Sequence, residues 1–146
     1  MVIRMKGVKI YPLKHIKVPK GDILHALKCT DEGYAGFGEV YFSQIESGAI
    51  KGWKRHNRMP LNIIVPIGAI EFIIYDDREL SSTYGQFMKI EISSDTNYVR
   101  LTVEPGLWMS FKGISQGVSM LMNIIPIPHD PSEVDKKELS DIPYYL

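Results

Sequence analysis

Turn residues recur at nearly even intervals along this chain, and the segments between them are too short for most helices. Twelve glycines and nine prolines punctuate the 146 residues. Between them lie "VKIYPL", "YAGFGEVYFSQI", "GAIKGWKRH", "LNIIVPIG", "AIEFIIYDD", "GQFMKIEIS", "YVRLTVEPG", "LWMSFKG" and "GVSMLMNIIPI". These runs are rich in β-branched and aromatic residues, which suit a pleated, half-buried surface. Short strands at regular spacing predict an all-β sandwich or closed barrel.

Helix signals are sparse. "GDILHALKCTDEG" places Ile23, Leu24 and Leu27 at helical spacing, yet it also reads as an extended arm. "DPSEVDKKELSD", Asp130 to Asp141, opens with a capping Asp and a Pro at the first helical position, so a short helix is expected there. The tail "DIPYYL" is apolar enough to dock on the body. The expected organisation is one domain over residues 1–146: an arm over 1–32, the barrel over 33–128 and a C-terminal tail over 129–146.

Formal net charge is zero, with 17 basic and 17 acidic side chains. A duplex nucleic-acid binder carries a basic surplus, so no nucleic-acid partner is expected. The longest apolar run, "LNIIVPIGAIEFIIY", is interrupted by Asn62, Pro66, Gly68 and Glu71, which argues against a membrane span. The single cysteine, Cys29, has no internal partner for a disulfide, and the N-terminus has no apolar signal region. The expected location is the cytoplasm.

The chemistry concentrates in "GAIKGWKRH". Alternation along a strand puts Lys54 and His56 on one face. The stretch resembles the strand of metal-binding cupins that runs Gly, five residues, then His-x-His, with a further His after a Pro-x-Gly turn. Here Lys54 stands at the first His, no Glu occurs between His56 and Gly68, and Met109 stands where the later His would be. A protonated lysine does not ligate, and one imidazole with a thioether is a poor set for zinc, iron or manganese. No metal and no cofactor are expected.

Five ordered motifs carry a more specific resemblance: "FGEVYFS", "GAIKGWKRH", "GAIEFIIYDDR", "SSTYGQF" and "VEPGLWMSFKGIS". Together they resemble the dTDP-4-dehydrorhamnose 3,5-epimerase family, over about residues 36–128. "GWKRHNRM", "YDDR", "EPGLWMSFKG" and "IPHDPSE" also resemble a group of small epimerase-like proteins. The resemblance implies a cupin-type jelly-roll barrel with little helix, a homodimer completed by N-terminal strands, and a nucleotide-linked keto sugar as small-molecule partner.

In that family a His–Asp pair removes a proton beside the sugar ketone, and a Tyr on the other side acts as acid. The Asp position maps onto Asp76 and the His position onto Lys54; "VSMLMNI", after "GIS", has no Tyr. His56, whose residue type suits proton transfer near neutral pH, is then the expected base, with Lys54 as the lesser candidate and Asp76 orienting it. Lys54 is also a candidate fixed cation for the enolate. Lys51 and Arg58 are expected to hold the phosphates; Glu39, Tyr41, Trp108 and Met109 are expected to meet the sugar. The cationic run 51, 54, 55 and 58 reads equally as a solvated strand edge. His15, His25 and His129 have no constellation around them and are read as structural. Two functions follow: an epimerase or isomerase in surface-glycan synthesis, or a non-catalytic protein that keeps the cavity for binding or scaffolding.

Overall fold

The computed structural model describes residues 4–145 of the chain, so residues 1–3 of the expected arm and residue 146 of the expected tail lie outside it. Among the described residues twelve strands follow one another: β1 (Val8–Pro12), β2 (His15–Ile16), β3 (Ile23–Leu24), β4 (Glu39–Ile45), β5 (Ile50–His56), β6 (Leu61–Ile67), β7 (Ala69–Tyr75), β8 (Phe87–Ser93), β9 (Val99–Val103), β10 (Trp108–Gly113), β11 (Ser119–Ile125) and β12 (Val134–Lys136). Two five-stranded sheets form, ordered β1-β9-β6-β11-β4 and β12-β5-β10-β7-β8, and every pairing between their strands is antiparallel. This is the jelly-roll architecture that the family resemblance implies, within the all-β class that the strand spacing predicts, and the strand runs fall where the turn residues predict them.

Alternation explains how the sheets meet. Leu61, Ile63 and Val65 of β6 share a buried cluster with Ile70, Phe72 and Ile74 of β7, from the other sheet. The outer face of β7 is covered too, because Ile73 joins Trp53, Trp108 and the tail residue Ile142 in a second cluster. A strand buried on both faces reads as a near-continuous apolar run rather than an alternating one, and "AIEFIIY" does so from Phe72 to Tyr75, after Glu71. On the outer face of β6, the Asn62 amide donates to Gly33 O at 3.0 Å, and Arg100 on β9 donates to Glu32 O at 2.6 Å. These bonds tie the segment before β4 across the sheet.

Two of the alternatives resolve here. "GDILHALK" is extended, with Ile23 and Leu24 paired against Ile16 and His15. The helix expected over Asp130–Asp141 is instead a 3-10 turn (Pro131–Glu133), strand β12, and a second 3-10 turn (Leu139–Asp141). Asp130 does cap the first turn, accepting from Ser132 N at 3.0 Å. The helix stops because Val134, Asp135 and Lys136 pair with His56, Arg55 and Lys54 on the open edge of β5. Edge pairing of this kind outweighs a weak local helix preference. The N-terminal residues of β1 likewise pair within this chain, onto β9.

Candidate active site

A hollow of about 160 Å³ opens between the sheets, walled by β4, β5, β6, β10 and β11. Leu61, Ile63, Leu121, Met109 and Phe111 form its apolar floor. Its polar groups are Tyr41 and Ser43 from β4, Asn123 from β11, and Lys51, Lys54 and His56 from β5. Gly52 also borders it, at φ +152. A Cβ at Gly52 would lie 2.8 Å from Ser110 Cα, so glycine alone lets β5 approach β10 where their register shifts.

His56 has a partner that the sequence did not assign. Its Nδ1 lies 2.7 Å from Glu133 Oε1, and Glu133 is 1% exposed. The other carboxylate oxygen of Glu133 accepts from Asn57 N at 2.9 Å and Arg58 N at 3.0 Å. Burial pushes the Glu133 carboxyl up, but the hydrogen bonds from Arg58, His56 and Asn57 outweigh it and hold the group below its ordinary value. An ionised carboxylate at Nδ1 keeps a proton on that nitrogen and leaves Nε2 as the basic one. The clue was "IPHDPSE", which ends in Glu133; its distance along the chain hid its proximity to His56.

Tyr41 stands on the other sheet from His56. Its phenol oxygen accepts from Asn123 Nδ2 at 3.0 Å, leaving its own proton free to donate. Burial raises its pKa above the ordinary value; the Asn123 hydrogen bond opposes this, and the charges of Glu39 and Glu133 add to the rise. Partial desolvation lowers the Lys54 pKa, with help from the charges of Lys136 and Lys51.

The structure brings together five of the nine sequence-predicted residues: Tyr41, Lys51, Lys54, His56 and Met109 all border the hollow. The other four do not. Asp76 is fully buried away from it; its carboxylate accepts from Arg78 Nε at 2.9 Å and from the Ser81 and Thr83 hydroxyls at 2.6 Å each. It therefore orients the 78–83 turn rather than His56, and Lys54 lacks the neighbouring carboxylate that would have raised its pKa. Alternation turns Trp108 outward while Met109 faces in; the indole donates to Asp77 at 2.8 Å and lies 4.6 Å beneath the Arg55 guanidinium. Arg58 pairs with Asp130 at 2.8 Å and Arg55 with Asp135 at 2.7 Å, which takes up two of the four cations of that run, Arg58, one of the two expected at the phosphates, among them. Glu39 accepts from His129 N at 2.8 Å beyond the end of the hollow.

Such a hollow between two antiparallel sheets, with an imidazole–carboxylate pair on one wall and a phenol on the other, defines a cupin-type barrel with acid–base groups. No family model matches the chain. It is 30% identical to a probable low-salt glycan biosynthesis epimerase of Haloferax volcanii, over 71% of this chain and 65% of that protein, so it spans just under two thirds of that relative. It is 20% identical to the spore coat polysaccharide biosynthesis protein SpsL of Bacillus subtilis, over 91% of this chain and 87% of that one. The crystal structure of a dTDP sugar isomerase from Desulfovibrio desulfuricans G20 superposes with a TM-score of 0.93 at 29% identity, covering 99% of this chain and 93% of that one. That of dTDP-4-dehydrorhamnose 3,5-epimerase from Bacillus anthracis, with TDP and pyrophosphate bound, superposes at 0.82 and 18% identity, covering 99% and 88%, and shares the fold. In fold and in sequence the chain is similar to a dTDP sugar isomerase and to glycan-biosynthesis proteins, and it shares its cupin-type fold with the dTDP-4-dehydrorhamnose 3,5-epimerases.

Among the described residues, no three of His, Cys, Asp and Glu gather to hold a metal ion, and no helix is long and apolar enough to cross a membrane.

Proposed function

We propose that this chain is an epimerase or isomerase of a nucleotide-linked keto sugar, of the dTDP-4-keto-6-deoxyhexose class, serving surface-glycan synthesis. The observation that carries the reading is the His56–Glu133 hydrogen bond at 2.7 Å on the wall of the hollow. His56 Nε2 takes the proton from the carbon next to the ketone, and Glu133 steadies the imidazolium that results. The electron pair moves onto the ketone oxygen as an enolate. Lys54 offers a fixed cation for that oxygen. Tyr41, from the facing sheet, returns a proton to the carbon on its other side, and the configuration inverts.

Lys51 supplies charge for the phosphates, beside the Lys54 cation at the enolate. Among the described residues neither forms an ion pair, whereas Arg55 and Arg58 do. Lys136 sits directly across from Lys54 in the β12–β5 pairing. Like charges at opposed strand positions repel, and a bound anion relieves that cost. The relatives named above include sugar-nucleotide enzymes and glycan-synthesis proteins, which supports the substrate class. A homodimer, with residues 1–32 contributing to its contact, and a cytoplasmic location belong to the same reading.

The test is deuterium incorporation from heavy water into dTDP-4-keto-6-deoxyglucose, read by mass spectrometry. The wild type incorporates deuterium next to the ketone; His56→Ala loses about 100-fold or more of that rate. Binding of this sugar nucleotide without any exchange would instead identify a non-catalytic sugar-nucleotide binder.

A further inference from the structure

Two polar side chains of the hollow, Ser43 and Asn123, have no part in the reaction above, and Asn123 is the one with a buried polar atom left unpartnered among the described residues. Asn123 is 4% exposed and borders the hollow beside Tyr41. Its amide nitrogen donates to the Tyr41 oxygen. Its amide oxygen, Oδ1, is buried and has no hydrogen-bond partner among the described residues. Buried acceptors are rarely left so, because an unmet one costs the full desolvation of the group.

The surroundings narrow what meets it. Asn123 pairs with Tyr41 on β4 and with Ile63 on β6, so strands flank it on both sides. Its neighbours on the wall of the hollow include Leu61, Ile63 and Leu121, which have no donor to offer. The residue that carries the free acceptor borders the space in which a sugar ring would sit if the reading above holds.

We propose that Asn123 reads a hydroxyl of the bound sugar: Oδ1 accepts a hydrogen bond from a ring hydroxyl, while the amide N–H holds the Tyr41 oxygen and turns the phenol proton toward the ring. One amide thus couples substrate choice to the aim of the proton donor. The ligand class is a hexose that keeps its hydroxyl at the position facing β11, rather than one deoxygenated there. A site that hydrogen-bonds a hydroxyl rejects the analogue lacking it, since the buried group is then unpaired.

The inference rests on the sugar-nucleotide reading, and its test separates the two. Isothermal titration calorimetry compares dTDP-glucose with its 2-deoxy and 3-deoxy analogues, on wild type and on Asn123→Leu, which is close in shape and has no polar atom. The wild type is expected to bind one deoxy analogue about 10- to 100-fold more weakly than dTDP-glucose. Asn123→Leu is expected to bind that pair within about twofold of each other, through weaker binding of the hydroxylated sugar. Asn123→Ala serves as the second variant if the leucine side chain disturbs folding, judged by the melting temperature. Equal binding of all three sugars by the wild type overturns the inference, as does a preference that survives in both variants. Failure of the wild type to bind any of them overturns the sugar-nucleotide reading itself.

Discussion

Asp76 shows how a residue in the right stretch of sequence takes a different task. Burial raises its carboxyl, but hydrogen bonds from Arg78, Ser81 and Thr83 outweigh that, and its pKa lies far below the ordinary carboxylate value. The folded state therefore favours the ionised form. A carboxyl depressed on folding adds stability that is complete above its unfolded pKa, about 4, and is lost as pH falls from there toward the folded value. Asp76→Asn is expected to destabilise the chain by about 3 kcal/mol at pH 7, because Arg78 loses a buried partner. The gap between wild type and variant should narrow below about pH 4, as wild-type Asp76 starts to take up a proton. Chemical denaturation at pH 7, 5 and 3 measures it; a gap that stays constant would show that the ion pair is not its source.

Strand edges and turns place the groups proposed to be catalytic. Gly68 joins β6 to β7 at φ +79, and a Cβ there would lie 2.7 Å from Ser119 Cβ on β11. Gly48 precedes β5 at nearly the same angle, φ +80, with nothing near its Cβ position. Both substitutions to Ala strain the backbone by about 1 kcal/mol, but only Gly68→Ala also drives a methyl into a packed neighbour, for about 2 kcal/mol more. Thermal melts of the two variants isolate the overlap; equal losses would mean that β11 gives way. At this scale much was legible. Alternation correctly put Lys54 and His56 on one face, and turn residues bounded the strands. The β12 strand was not legible, because "VDK" is too short to show a period and its pairing depends on the exposed edge of β5.

The C-terminal segment completes the molecule. Residues after β11 bring Glu133 to His56 and Lys136 to Lys54, and then lay Leu139, Ile142, Tyr144 and Tyr145 over Trp53 and Trp108. Ser110 Oγ and the Tyr145 hydroxyl, 2.7 Å apart, fasten the end to β10. Stability and the proposed chemistry are thus coupled through one stretch. Ile142→Ala is expected to cost about 3 kcal/mol, the range for deleting a buried aliphatic side chain. It should also shift tryptophan emission to longer wavelength as the cover over both indoles loosens. Stability measured in urea and an emission spectrum check this together; unchanged values would mean that the tail is a loose appendage.

The sequence alone determined what local rules control: an all-β chain, strand positions set by period-two alternation and turn chemistry, and a strand presenting Lys54 and His56 together. Tertiary structure decided which partners those groups meet. Asp76, some twenty residues from His56, turned inward to Arg78, while Glu133, 77 residues away, became its neighbour. Alternation specifies which way a side chain faces along its own strand. It carries no information about which strand lies alongside or which segment folds over the edge, because sheet order and edge pairing arise only when distant apolar faces close on one another.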